Sequence, residues 1–334
     1  MMKLTMDFNR RIDLLCNLGT WMQLNDTSWV EAQHRAVGSN AWFTPEHISM
    51  AINNIVHQFL QREKVTTWLA DYKLPTVPKI VGIVMAGNIP LVGFHDFLCG
   101  FISGHYVHIK LSSKDEVLLT YILKKLGEWE PEVLEQVEIK DRLNGCDAYI
   151  ATGSNNTARY FEQYFAKYQN IIRKNRTSVA ILDGSETDEE LALLADDVYL
   201  YYGLGCRNVT QVCVPREFPF ERLLKAFTKH NSYADLNKYK NNFDYHLAIY
   251  LLNRVPYMSN ESILMVENDL PFSAVSVLHY KYYDDIATMK EELKSNDSIQ
   301  AIIGHDFIPF GDSQKPALSA YADNVDTMEF LCGL

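Results

Sequence analysis

The sequence predicts an α/β protein built on a doubly wound parallel sheet, followed by a second, smaller α/β region. Three observations predict it. Short apolar, β-branched segments such as Lys79-Ile80-Val81-Gly82-Ile83-Val84-Met85 read as buried strands. Stretches of helical period lie between them, giving strand–helix alternation. Several strands run straight into loops of Gly, Asn, Ser and Thr that open the next helix, which is where such sheets bind ligands.

The elements follow in order. Residues 1–40 form a helical, partly aromatic lead-in with Trp21 and Trp29, and Trp42 follows. Thr44 caps a helix with Pro45 at its first position and Glu46 in its first turn; Ile48, Ala51, Ile52, Ile55, Phe59 and Leu60 carry its period on toward Leu69. After the strand at 79–85 comes the loop Ala86-Gly87-Asn88-Ile89-Pro90. Residues 91–104 suit a helix, 106–111 a strand, 115–126 a helix, 147–151 a strand, 156–168 a helix and 178–182 a strand. Thr187 and Glu190 form a capping box, and the helix it opens runs to about Tyr202 and stops at Gly203. A strand at 211–214 is closed by Pro215, and further strands lie within 262–282 and at 298–304. The polar, Tyr- and Asn-rich stretch 228–245 is expected at the surface. The natural boundary is Asp183-Gly184-Ser185-Glu186, giving domains at 1–183 and 184–310, with a tail, 311–334, at a domain or subunit interface.

Composition excludes several classes. The 334 residues are 47% hydrophobic and 22% charged, ordinary for a soluble globular chain. Thirty-one basic against 42 acidic residues give a net charge of −11, a poor balance for nucleic acid. No apolar run approaches about 20 residues, so no membrane span is expected, and the N-terminal residues carry no secretory pattern. Six scattered cysteines without a CxxC pair argue against a disulfide framework or a thiolate metal site, and for reduced thiols in the cytoplasm.

Four segments could carry chemistry. Cys206 sits in Tyr202-Gly203-Leu204-Gly205-Cys206-Arg207, where glycines let a substrate approach and Arg207 favours a thiolate; the alternative is a small buried residue in a tight turn. Asn88, after Gly87 at a strand end, can aim an amide at a developing oxyanion, or simply serve a turn before Pro90. Lys110, Ser112 and Ser113 suit a ribose or phosphate, or form a solvated helix-capping loop. Thr152, Gly153 and Ser154 leave backbone amides free for a pyrophosphate, although no GxGxxG is present. His95 and Asp96, about 100° apart on one helix, read as structural rather than as a dyad. Arg173-Lys174-Asn175-Arg176 reads as a solvated helix end that could alternatively meet a phosphate.

The order and spacing of these segments resemble the aldehyde dehydrogenase superfamily, and within it the fatty acyl-CoA reductase family of bioluminescence. The carrying residues are 86–96 (Ala-Gly-Asn-Ile-Pro-Leu-Val-Gly-Phe-His-Asp), 110–115 (Lys-Leu-Ser-Ser-Lys-Asp), Thr152-Gly153-Ser154, Gly205-Cys206, 309–314 and 321–330. The resemblance spans roughly residues 75–334 and implies a nicotinamide cofactor domain followed by a catalytic domain carrying Cys206. It implies that Cys206 is acylated by an acyl thioester, that Asn88 with the Cys206 N–H holds the oxyanion, and that Lys110 and Ser112 contact the adenosine ribose. Ser154 and its neighbours would face the pyrophosphate. Relatives that oxidise aldehydes carry a general-base Glu where Ala180 stands here, which favours reduction of the thioester. Relatives without a 2′-phosphate carry a Glu near Ser113; its absence, with Lys114 beside it, favours NADPH, with NADH as the alternative. A non-catalytic acyl- or nucleotide-binding protein and an aldehyde-oxidising dehydrogenase are the competing readings. A homo-oligomer is compatible with the resemblance, although the chain is shorter than most aldehyde dehydrogenases.

Overall fold

The computed structural model describes residues 6–24 and 26–334. Two compact units emerge, one of residues up to 175 together with 316–334, the other of residues 176–315.

The first unit opens with α1 (Phe8–Met22), α2 (Thr27–Ser39), α3 (Pro45–Phe59) and α4 (Arg62–Leu69). Thr44 caps α3 by accepting from His47 N–H, with Pro45 in the first turn as expected, but the helical run toward Leu69 breaks at Leu60. Then follow β1 (Ile80–Val84), α5 (Phe94–Ser103), β2 (Tyr106–Lys110), α6 (Val117–Trp129), α7 (Glu132–Gln136), β3 (Val137–Ile139), β4 (Ala148–Thr152), α8 (Asn155–Phe165) and β5 (Gln169–Arg173). The five strands are parallel in the order β3-β2-β1-β4-β5. From β1 the chain steps outward through β2 and β3, then crosses to the other flank for β4 and β5. The reversal makes a topological switch point between β1 and β4, and a crevice for ligand belongs at its carboxyl edge. Register aligns that edge: Val84, the last residue of β1, sits opposite Lys110 on one side and Ala151 on the other.

The second unit contains β6 (Thr177–Ile181), α9 (Asp188–Tyr199), β7 (Val209–Pro215), α10 (Phe220–Phe227), α11 (Asn237–Asn253), β8 (Met258–Ser259), β9 (Leu264–Glu267), β10 (Val277–Tyr283), α12 (Ile286–Lys294) and β11 (Ile299–Ile303). Its strand order is β11-β6-β7-β10-β9-β8, parallel except for the antiparallel pair β8 and β9. The boundary therefore falls at 175/176 rather than 183/184. The reason is pairing: β6, placed with the first domain by its sequence position, hydrogen-bonds to β7 and β11. Thr187 and Glu190 form the expected capping box on α9. Residues 228–245 lie mostly at the surface, as expected, with only His230, Tyr239 and Phe243 among them buried. They are 3-10 turns followed by α11; the rings of His230 and Tyr239 pack with Tyr199 and Tyr202, and Phe243 joins an apolar cluster with Leu264 and Val277.

From residue 316 the chain returns to the first unit and ends in α13 (Thr327–Cys332). Trp68 Nε1 donates to Tyr321 Oη at 2.8 Å, Tyr72 Oη donates to Asp326 Oδ2 at 2.7 Å, and His95 Nε2 donates to the Leu318 carbonyl at 3.0 Å. His95 lies against Phe59, Trp68 and Tyr321, a structural role as expected. Arg173 differs from expectation. It ends a strand, is buried, and pairs with Asp96 at 2.5 Å while donating to Thr327 Oγ1 at 2.8 Å. A buried guanidinium needs such a partner, and Asp96 in the first turn of α5 supplies it.

Candidate active site

In the first unit, the loops after β1 and β2 touch. A Cβ built on Gly87 would lie 2.7 Å from both Cβ and Oγ of Ser112, and 3.2 Å from Cβ of Asp115, so only glycine lets the two loops close on each other. Asn88 follows, half-buried. The turn ends at Leu91, whose φ of +56° is left-handed and unusual for leucine, and whose N–H donates to Asp115 Oδ2 at 2.7 Å. Lys110, Ser113 and Lys114 are exposed and Ser112 is half-buried, with its Oγ accepting from Lys114 N–H at 3.3 Å. Across the switch point, Thr152 ends β4, Gly153 follows, and exposed Ser154 caps α8 by accepting from Thr157 N–H at 3.3 Å. Gly87, Asn88, Lys110, Ser112, Ser113, Thr152, Gly153 and Ser154 thus share the carboxyl edge of three adjacent strands. Lysine ammonium, serine hydroxyls and helix N-terminal amides form a donor set suited to ribose hydroxyls and phosphates.

Cys206 belongs to the second unit. At the end of α9 the chain passes through Tyr201 (φ +55°), Tyr202 (φ +58°) and Gly203 (φ +73°), three left-handed residues in a row. Each tyrosine there costs about 1–2 kcal/mol, so packing must hold the shape; both are buried. Asn208 fixes the turn beyond. Its Oδ1 accepts from Gly205 N–H at 2.8 Å, and its Nδ2 donates to the carbonyls of Leu200 at 2.8 Å, Asp197 at 3.1 Å and Val198 at 3.3 Å. Ser178 on β6 donates to the Cys206 carbonyl at 3.0 Å. Asp197 on α9, buried, accepts from the N–H groups of Gly311 at 2.7 Å and Ser313 at 3.0 Å, which docks the Pro309–Ser313 segment on the same helix. Burial raises the Asp197 carboxyl despite these bonds.

Cys206 is half-buried, whereas Cys99, Cys146 and Cys213 are buried. Burial pushes up the thiols of Cys16, Cys99, Cys146, Cys213 and Cys332, that of Cys213 to about 12. Beside Cys206, the Arg207 guanidinium is lowered by burial, and negative charge on the Cys206 sulfur would act in the opposite direction. On β6, Val179 and Ile181 enter an apolar cluster with Cys213, Met289 and Leu293. Alternation puts Ala180 on the opposite face, the one from which Ser178 holds the Cys206 turn. Ala180 is fully buried.

Residues 9–218 match the family described as acyl-CoA reductase (LuxC). The chain belongs to that family. Membership in a family of acyl-CoA reductases makes it an oxidoreductase. No curated protein matches it in sequence. Solved structures share the fold. Aldehyde dehydrogenase 21 of Physcomitrella patens, in complex with the reaction product succinate, is 12% identical with a TM-score of 0.67, covering 91% of this chain and 74% of that one. A point mutant of an aldehyde dehydrogenase from Bacillus cereus is 14% identical with a TM-score of 0.66, covering 90% and 72%. The AldA indole-3-acetaldehyde dehydrogenase of P. syringae, a mutant in complex with NAD+ and IAA, is 11% identical with a TM-score of 0.64, covering 90% and 72%. No helix among the described residues is long and apolar enough to cross a membrane.

Asp115, Asn208, Ser178 and Asp197 were not singled out from sequence. Asn208, two residues beyond the candidate cysteine, was the one with a local signal. The other three reach their partners only through the fold.

Proposed function

We propose that this reductase converts an acyl-CoA, or another acyl thioester, to the aldehyde at the expense of NADPH, through a thioester on Cys206. The observation that carries the reading is the Cys206 turn. Two strained tyrosines and the Asn208 clamp hold a half-buried sulfur in a preorganised turn beside the Arg207 guanidinium. Such strain maintained by its surroundings marks functional positions.

The reaction divides into two steps. The Cys206 sulfur attacks the thioester carbonyl, the carbon–sulfur bond to CoA breaks, and CoA leaves with the proton that Cys206 gave up. Asn88 is assigned to the oxyanion of the tetrahedral intermediate, along with the Cys206 N–H. A bound reduced nicotinamide would supply the hydride for reduction of the acyl-cysteine to aldehyde, with Cys206 leaving as the thiolate. Gly87, Lys110, Ser112, Ser113, Thr152, Gly153 and Ser154 are assigned to the cofactor, and NAD+ in complexes of structural neighbours supports a nicotinamide cofactor. Exposed Ser113 and Lys114, with no carboxylate at either position, favour NADPH over NADH. Ala180 cannot activate water, so the acyl-cysteine is spared hydrolysis. The same feature counts against aldehyde oxidation, and the intact Cys206, Asn88 and Lys110-Ser112-Ser113 set counts against a non-catalytic binder. Incubating the protein with NADPH and a panel of acyl-CoAs tests the reading. Aldehyde appearing with loss of nicotinamide absorbance is the expected result; burst labelling without aldehyde from either cofactor would replace it with the binding reading.

A further inference from the structure

Asp115 is buried in the first unit, as Asp96 is, but unlike Asp96 it has no basic partner among the described residues. It is 8% exposed, and its two oxygens are treated unequally. Oδ2 accepts the Leu91 N–H at 2.7 Å, while Oδ1 is fully buried with no hydrogen-bond partner among the described residues. Burial raises the carboxyl to about 7, against the weaker opposing effect of the Leu91 bond.

The geometry spans one turn. Gly87, at the turn's start, lies so close that an added Cβ would be 3.2 Å from Asp115 Cβ. Leu91, at its end, hangs from Asp115 Oδ2 with a left-handed φ of +56°. Asn88 lies between these two anchor points. An unsatisfied carboxyl oxygen and a left-handed leucine are both unfavourable, and they meet at the two ends of one hydrogen bond. Costs that coincide at a ligand-binding sheet edge point to function.

We propose that Asp115 is a positioning residue for Asn88, holding the 87–91 turn in the shape that presents the Asn88 amide to the reacting carbonyl. This rests on the assignment of Asn88 to the oxyanion. Asp115 acts through the turn and touches neither substrate nor cofactor.

The test is the single-turnover rate at which radiolabelled acyl-CoA acylates the full chain, with the thermal midpoint measured in parallel. Loss of an oxyanion donor slows such a step by roughly 100- to 1000-fold, and Asn88→Ala should fall in that range. Misplacing the donor costs roughly 10- to 100-fold, the range expected for Asp115→Ala. The double variant should be no slower than Asn88→Ala alone, because the two residues act as one unit. Asp115→Asn keeps an oxygen for the Leu91 N–H and should acylate near the wild-type rate. Asp115→Glu keeps the charge but displaces the carboxyl by a methylene, and should be slow; it carries the test if Asp115→Ala does not fold. Additive losses in the double variant, or wild-type acylation by Asp115→Ala or Asp115→Glu at any thermal midpoint, would overturn the proposal while leaving Asn88 in place. Wild-type acylation by Asn88→Ala would instead overturn the oxyanion assignment, and the proposal with it.

Discussion

Asn208 shows how much a single side chain can hold. Its amide satisfies one donor and three acceptors of the backbone on either side of the Tyr201–Gly205 turn. Replacing it with alanine strands those groups in a buried setting, and a loss of ~2–4 kcal/mol is expected. Urea unfolding would read it, and acylation of the folded variant should slow as the Cys206 turn relaxes. Asp115 gives a second prediction at this scale. Its folded carboxyl titrates at about 7, above the ordinary 3.8. The folded state thus binds this proton more tightly than the unfolded state, so the stabilisation is complete below about pH 4 and is lost as pH rises through about 7. By linkage the swing approaches ~4 kcal/mol. Unfolding free energies measured from pH 4 to 8 should decline with pH in the wild type, and decline less in Asp115→Asn, whose amide does not titrate. The residue types at the candidate site were legible in the sequence, because Asn after a strand and Cys after glycines carry their chemistry in their identity. The groups that hold them were not, since Asp197 meets Gly311 from 114 positions away.

Elements were legible where the signal was local. The cap of α3 and the box of α9 follow from a few adjacent residues, and both formed as expected. Glu190 does more than its local role, since its Oε1 accepts from His305 Nε2 at 3.1 Å while Asp183 approaches His305 Nδ1 at 3.4 Å. Burial works to lower the His305 imidazole, but the two carboxylates outweigh it and raise it. A raised histidine contributes stability that is complete below its unfolded value, about 6.5, and lost as pH rises through the folded one. His305→Ala should therefore lower the thermal midpoint at about pH 5.5 and leave it nearly unchanged at about pH 9. The effect should be small because the ring is partly exposed. Where the signal was tertiary, local reading went astray. Arg173 looked like a solvated helix end because its neighbours are basic, yet a strand carries it inward to Asp96. Removing one partner of such a buried pair costs roughly 3–5 kcal/mol, so Arg173→Ala should destabilise the first unit strongly in urea unfolding.

At the scale of the whole molecule, the parallel sheet was legible and its division was not. Alternation of strands and helices fixes a doubly wound plan, but adjacency of β6 to β5 in sequence says nothing about which sheet β6 joins. Pairing decided that, as it decided that the last residues return to the first unit. The family follows from the match over residues 9–218, and the fold from the solved structures. The central claim is the chemistry at Cys206. The most direct measurement is acylation of the full chain by radiolabelled acyl-CoA without cofactor, followed by peptide mapping, in the wild type and in Cys206→Ala. Label confined to the peptide carrying Cys206, absent from the variant while nucleotide binding persists, is the predicted result. Label carried by Cys146 or Cys213, or undiminished in Cys206→Ala, would contradict it.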